Sequence, residues 1–202
     1  MERTIIEAEG YRIVETNNCS LEEIVKFVVK ENYLHHQKNL PENISEEIEE
    51  LIKEEQLLLL TSKFFVARDR EGRLIGCIRL HRWNQTSNLP ITKFGIRVEE
   101  TFPQDKYPNI WHIGRFAVTN RNMGVNLFKT LMVCAIAPII KNTSSIMLAE
   151  LDVKLLKSLK KMGIELNEIG AAIHHIGSIV VPAFSTTLGL VSFYMRNHIL
   201  VD

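Results

Sequence analysis

Leu21, Ile24, Val25, Val28 and Val29 are spaced three and four apart, which predicts a helix running to about Asn32. Ser20-Leu21-Glu22-Glu23 in front of it has the S-x-x-E form of a capping box. A short strand, Tyr11–Glu15, precedes this helix. Pro41 closes the connection, and a second helix is expected from near Ser45, with Ile48, Leu51, Ile52 and Leu58 as its buried stripe. Its acidic run (Glu46, Glu47, Glu49, Glu50, Glu54, Glu55) reads as a solvated face. In "FFVARDREGRLIGCIRL" two apolar runs flank Asp69-Arg70-Glu71-Gly72, which predicts a hairpin turning at Gly72. Residues 84–109 are polar and hold Pro90, Pro103 and Pro108; a segment this long is expected to be partly ordered.

The second half alternates strand and helix patterns. A strand at Ile110–Val118 leads to a helix from about Gly124 to Ile140, then a strand at Ser145–Leu151. "DVKLLKSLKKMG" is expected to form a helix with Asp152 as N-cap and Gly163 past its end. Two final β runs, Glu165–Ile169 and His175–Phe184, flank a Gly-Ala turn. The order β-α-α-β-β-β-α-β-α-β-β, without repeat or linker, predicts one α/β domain, residues 1–202, with a mixed sheet flanked by helices.

Composition narrows the function classes. The 202 residues are 46% hydrophobic and 24% charged, an ordinary globular balance. Lys plus Arg equals Asp plus Glu, 24 each, which gives no electrostatic reason to expect nucleic acid as a partner. Cys19, Cys77 and Cys134 are far apart and odd in number, which suits a reducing compartment rather than a disulfide framework. MERTIIEAEGYRI lacks the apolar core of a signal peptide, and no run reaches the ~20 apolar residues of a membrane span. A soluble, cytoplasmic protein is expected.

The chemistry concentrates in "NIWHIGRFAVTNRNMGVNLFKTL", residues 109–131. A strand that passes through a polar turn into a helix leaves free backbone N–H groups at the helix start, where anions and phosphates bind. Gly124 lets a ligand approach the backbone and Arg121 adds a charged contact; the plain alternative is an ordinary turn with a surface arginine. Within the strand, alternation puts His112, Gly114 and Phe116 on one face and Ile113 and Arg115 on the other. Arg115, on a mostly apolar strand, needs a partner, and Glu150 near the end of the next strand is a candidate.

The element order and Arg121-Asn122-Met123-Gly124-Val125-Asn126 resemble the GNAT superfamily of acyltransferases, whose pyrophosphate motif is Q/R-x-x-G-x-G/A. Asn126 departs from the small residue usual there. Over most of residues 60–190 the chain resembles the acyl-homoserine-lactone synthases and related N-acyl amino acid synthases, which share that GNAT-like fold. "GRLIGCIRLHRW" is similar to their hairpin strand, and "KYPNIWHIGRFAV" to their extended segment and W-E-x-x-R-F-A-V strand. Trp111, Arg115, Phe116, Ala117 and Val118 match that motif; His112 replaces its glutamate.

The resemblance implies transfer of an acyl group from acyl-CoA or an acyl carrier protein to the amine of a small amino-acid-like acceptor. It places the donor against Phe116, Ala117, Val118 and residues Arg121, Asn122, Met123, Gly124, Val125 and Asn126, with a backbone N–H near Phe116–Val118 polarising the thioester carbonyl. Such chemistry needs a base to free the amine. His112 is the candidate, with Glu150 as an alternative base and Arg115 as the third candidate catalytic residue, on the other face of the strand; a hydrogen-bonded core histidine and a structural ion pair are the competing readings. An ordinary acyl-CoA-dependent acetyltransferase and a non-catalytic acyl-thioester-binding protein are the other functional readings.

Other candidates carry less. His35-His36 and His174-His175 are adjacent pairs that no cysteine or carboxylate completes into a metal site, so no metal is expected. Cys134 sits mid-helix and reads as core. Lys154, Lys157 and Lys161 share a helix face that either faces solvent or docks an acidic carrier protein.

Overall fold

A computed structural model of the chain describes residues 2–17, 20–36, 40–85, 87–119 and 124–201. The strands are β1 (Arg3–Ala8), β2 (Tyr11–Thr16), β3 (Ser62–Asp69), β4 (Leu74–Arg82), β5 (Asn109–Val118), β6 (Ser145–Asp152), β7 (Asn167–Glu168), β8 (Ile173–His175) and β9 (Ser178–Thr186). The helices are α1 (Leu21–His36), α2 (Ile44–Leu58), α3 (Val98–Thr101), α4 (Gly124–Ile136), α5 (Val153–Lys161) and α6 (Thr187–Asn197). The strands form one sheet in the order β1-β2-β3-β4-β5-β6-β9-β7, with β8 also on β9. Every pairing is antiparallel except β5 with β6.

Alternation along the strands gives the sheet two apolar faces. Ile13, Phe65, Ile78, Leu80, Ile113, Met147 and Leu151 face α4, α5 and α6. Val14, Phe64, Val66, Cys77 and Ala117 face α1, while Ile110, Ile146 and Leu148 pack with Leu58 of α2 and the segment before β5. That segment is ordered, as expected, by a 3₁₀ turn at Pro90–Phe94 and by α3. The hairpin turns at Gly72 (φ 80°). Asp152 caps α5 by accepting from the backbone of Lys154 and Leu155, and Gly163 takes a positive φ of 85° past the helix end. Half of the capping box forms: Ser20 Oγ accepts from Glu23 N, but the Glu23 carboxylate turns instead to Arg68.

Several boundaries differ from the sequence expectation. β1 is an edge strand with no fully buried residue, and its half-buried Ile5 and Ile6 are adjacent, so it carries no alternation to read. α1 runs on to His36, and α4 stops at Ile136, short of Pro138, whose ring cannot continue it. The run starting at His175 is a hairpin rather than one strand: Ile176 (φ 46°) and Gly177 (φ 70°) form a two-residue turn between β8 and β9. α6 was not expected; Thr186 caps it by accepting from Gly189 N at 3.3 Å. Among the described residues no helix is long and apolar enough to cross a membrane.

Candidate active site

The β5–β6 ladder is short. It pairs Asn109 with Ser145 through His112 with Leu148 and then ends, although β5 continues to Val118 and β6 to Asp152. Beyond His112 the two strands splay, and backbone that would pair in a closed sheet faces a gap. A cavity of about 950 Å³ opens there. It passes through the sheet. On the α2 face it meets Arg79, His112, Arg115 and Glu150; on the α4 and α5 face it meets Phe128, Met132, Met147, Leu155 and Leu159. One half is charged and the other apolar, which suits a ligand with an apolar tail and a polar reacting end.

A bulge shapes the vertex. Arg79 pairs with Gly114 and Cys77 with Ala117, so β5 spends one more residue than β4. Arg115 is in the left-handed region at φ 52°. The extra residue overturns the expected alternation. Phe116 moves to the α4 face, where it meets Phe128 edge-on with centroids 4.7 Å apart. Arg115 instead reaches the α2 side: Nε donates to Glu55 Oε1 at 2.9 Å and Nη2 to Glu54 Oε1 at 3.1 Å.

Glu150 is therefore not the partner of Arg115. Its two carboxylate oxygens each lie 2.9 Å from His112 Nε2. The other ring nitrogen, Nδ1, is 2.6 Å from Arg79 Nη2. His112 is fully buried, whereas the Glu150 side chain is 13% exposed and lines the cavity. Arg79 is itself buried, and its Nη1 lies 3.0 Å from Glu55 Oε1. That contact is close but poorly aligned, so Arg79 Nη1 and Nε and Glu55 Oε2 have no hydrogen-bond partner among the described residues. Gly114 makes the room: a Cβ there would sit 2.7 Å from Arg79 Nη2.

The acidic run of α2 is thus divided. Glu46, Glu49 and Glu50 are exposed, as read from the sequence. Glu54 and Glu55 are not solvated, because the helix turns them onto Arg79 and Arg115; the Glu55 side chain is 1% exposed. Burial alone would raise the Glu54 carboxyl, but Arg115, Lys93 and Arg79 together hold it below the usual carboxylate range. Lys93 completes the chain of charges through its ion pair with Glu54. Burial pulls the Arg79 guanidinium down from its ordinary value and Arg115 adds to this, while Glu55, Glu150 and Glu54 oppose it. Arg115 is raised: burial opposes its charge, and the Glu55 and Glu54 carboxylates outweigh that.

His81 sits beside His112 across the β4–β5 ladder. Its Nδ1 is 3.2 Å from Thr61 Oγ1 and 3.1 Å from Ser62 Oγ. Burial pushes it down to about 3, helped by the charge of Arg79 and by His112. His175 also lines the cavity and is lowered, first by burial and then by Lys93.

Arg79 and His81 were not singled out in the sequence, and Glu54 and Glu55 were read only as part of a solvated face. The available signal was Arg79 and His81 two apart on an otherwise apolar strand, which places both on one face. Of the residues expected to hold the donor, Phe116, Ala117 and Val118 line the cavity. Arg121, Asn122 and Met123 lie outside the described residues; Gly124 and Val125 open α4, and Asn126 is an exposed residue of its first turn. Cys134 is core, and burial pushes its thiol up to about 12.

No protein-family model matches the chain, and a search of curated proteins finds no match. Solved structures do. The acyl-homoserine lactone synthase LasI is similar at 13% identity over 96% of this chain and 96% of its own, with a TM-score of 0.58. FeeM, an N-acyl amino acid synthase from uncultured soil microbes, is similar at 10% identity over 83% of this chain and 90% of its own, with a TM-score of 0.58. The fold is that of the GNAT acyltransferases. A GNAT-family acetyltransferase from Staphylococcus aureus Mu50 matches 88% of this chain and 99% of its own at 12% identity, with a TM-score of 0.55. The match to BjaI, a CoA-dependent acyl-homoserine lactone synthase, spans 68% of this chain and 65% of that one, with 18% identity and a TM-score of 0.47.

Proposed function

We propose that the protein is an N-acyltransferase that moves an acyl group from an acyl thioester to the amine of a small amino-acid-like acceptor. The carrying observation is the cavity through the splayed sheet, polar at His112, Glu150 and Arg115 and apolar at Phe128, Met132 and Leu155. The thioester carbonyl belongs at the vertex, against the β5 backbone of Phe116–Val118 on the side where no β6 ladder forms. The acyl tail runs into the apolar half. The acceptor amine enters from the α2 face beside Glu150. An apolar arm of this extent favours a longer chain over the acetyl group of an ordinary acetyltransferase.

The donor is acyl-CoA or an acyl carrier protein. Its phosphate end belongs at the start of α4, where Gly124 and Val125 open the helix. We favour the carrier protein, because Lys154, Lys157 and Lys161 are exposed on α5 and Lys154 stands at the cavity. A basic face there steers an acidic carrier. The deciding experiment incubates the purified protein with matched acyl-CoA and acyl-carrier-protein donors and a panel of amino acids and related amines, reading products by mass spectrometry. An N-acylated product is expected. Binding of donor with no turnover on any amine would leave a non-catalytic thioester-binding protein. Unchanged carrier-protein use after Lys154, Lys157 and Lys161 are changed to glutamate would remove the docking face.

A further inference from the structure

We infer that Glu150, and not His112, takes the proton from the attacking amine, and that Arg79 is a positioning residue which fixes this by holding His112 as an Nε2–H donor. The inference rests on the acyl-transfer reading above.

The hydrogen-bond inventory decides the tautomer. A guanidinium only donates, so His112 Nδ1, 2.6 Å from Arg79 Nη2, must present its lone pair there. A proton on Nδ1 would face an N–H head-on. A carboxylate only accepts, so Nε2, 2.9 Å from both Glu150 oxygens, must carry the hydrogen. The ring then has no free lone pair, and it is fully buried besides. Glu150 has spare lone pairs and borders the cavity. The shared N–H from His112 aligns its carboxylate with the imidazole plane.

The surroundings enforce this arrangement. Arg79 cannot turn away freely, since Glu55 lies 3.0 Å from its Nη1 between it and Arg115. Gly114 leaves the space that Arg79 Nη2 occupies, as any Cβ would stand 2.7 Å from it.

In the reaction the acceptor arrives as an ammonium. Glu150 takes one of its protons, and the freed nitrogen lone pair attacks the thioester carbonyl carbon. The C–N bond forms, the C–S bond breaks, and the thiolate leaves with the electron pair. The nitrogen loses its second proton to the thiolate, giving amide and thiol, and Glu150 returns its proton to solvent.

Glutamine at position 112 separates the two roles. Its amide carbonyl can accept from Arg79 and its NH₂ can donate to Glu150, yet it has no basic nitrogen. His112→Gln should keep turnover within about tenfold, the worth of a modest hydrogen-bond change. Glu150→Gln should lower kcat by roughly 10²–10⁴-fold, as loss of a general base does, with little change in donor KM. Arg79→Met should lower kcat and Arg79→Lys should recover part of it. The tautomer is read independently of catalysis, by two-bond ¹⁵N–¹H correlation on histidine-labelled protein, with the His112 signals assigned by their loss in His112→Gln. The folded parent protein should show hydrogen on Nε2 alone, and Arg79→Met a mixture. Hydrogen on Nδ1 in the parent overturns the inference, as does a His112→Gln enzyme as inactive as Glu150→Gln. If no amine is ever acylated, the acyl-transfer reading fails while the nitrogen spectra still test the hold of Arg79 on His112.

Discussion

Glu55→Ala tests whether the charged cluster is an integral part of the core. Glu55 is 1% exposed and stands between two guanidinium groups, 3.0 Å from Arg79 Nη1 and 2.9 Å from Arg115 Nε. Removing it leaves two like charges facing each other out of water. Breaking a buried pair by deleting one partner costs about 3–5 kcal/mol. That is a large share of the roughly 5–15 kcal/mol by which a domain is stable. With a urea slope of about 2.5 kcal/mol per molar, the unfolding midpoint should fall by roughly 1–2 M. The control is Glu50→Ala, an exposed position four residues before Glu54 that takes part in neither ion pair, which should move stability by no more than about 0.5 kcal/mol. Equal, small shifts in the two variants would show that α2 presents one uniformly solvated acidic face, and the site geometry built on Glu55 would fall with it.

Gly114→Ala should displace Arg79 from His112 and cost about 1–3 kcal/mol for the buried groups left unpaired; an unchanged urea midpoint and unchanged turnover would count against the tight packing at Gly114. His81 is neutral when folded, at about 3, but titrates near ~6.5 when unfolded, so the unfolded chain binds more protons and stability falls as pH drops from about 6.5 towards 3. His36 and His175, also lowered, add to the same slope. His81→Gln should flatten the loss between pH 7 and 5 in urea unfolding, and an identical slope would refute it. Leu155→Trp, in the apolar half of the cavity, should shift the preferred acyl chain shorter: displacing two methylenes costs about 1.6 kcal/mol, roughly 15-fold in kcat/KM for the longer donor. A chain-length profile identical to the parent's would place the tail elsewhere.

Periodicity made most of the architecture readable, because the helices and central strands bury one face each. His112 and Glu150 were both legible as chemistry, since each stands as a polar residue on an apolar strand. Their pairing with each other was not. It depends on where the β5–β6 ladder stops, and nothing local in the sequence marks that point. The bulge at Arg115 was invisible for a related reason: a non-glycine residue at positive φ carries no sequence signature, and one extra residue reverses every later side chain on the strand. The role of Glu54 and Glu55 was hidden for a different reason. An acidic run reads as a solvated face from its charges alone, and which of its residues meet buried arginines depends on how α2 packs on the distant strands β4 and β5.

The split in the sheet and the charged cluster depend on each other. Opening a sheet between two central strands leaves ladder groups without partners and weakens the join at that place. Here side chains at and just past the last paired residues supply the join. His112 on β5 holds Glu150 on β6, Arg79 on β4 holds His112, and Glu55 of α2 holds Arg79 and Arg115 together. The link across the gap is therefore made by hydrogen bonds between side chains, which leaves the backbone of Phe116–Val118 unpaired on its β6 side and open to a ligand. It also divides the labour along one chain of contacts. Glu55, remote from solvent, holds the buried arginines; Glu150, at the cavity wall, is the group proposed to take the proton. Substitutions at these two carboxylates should accordingly separate, one lowering the unfolding midpoint and the other lowering turnover, although only His112 and Arg79 stand between them.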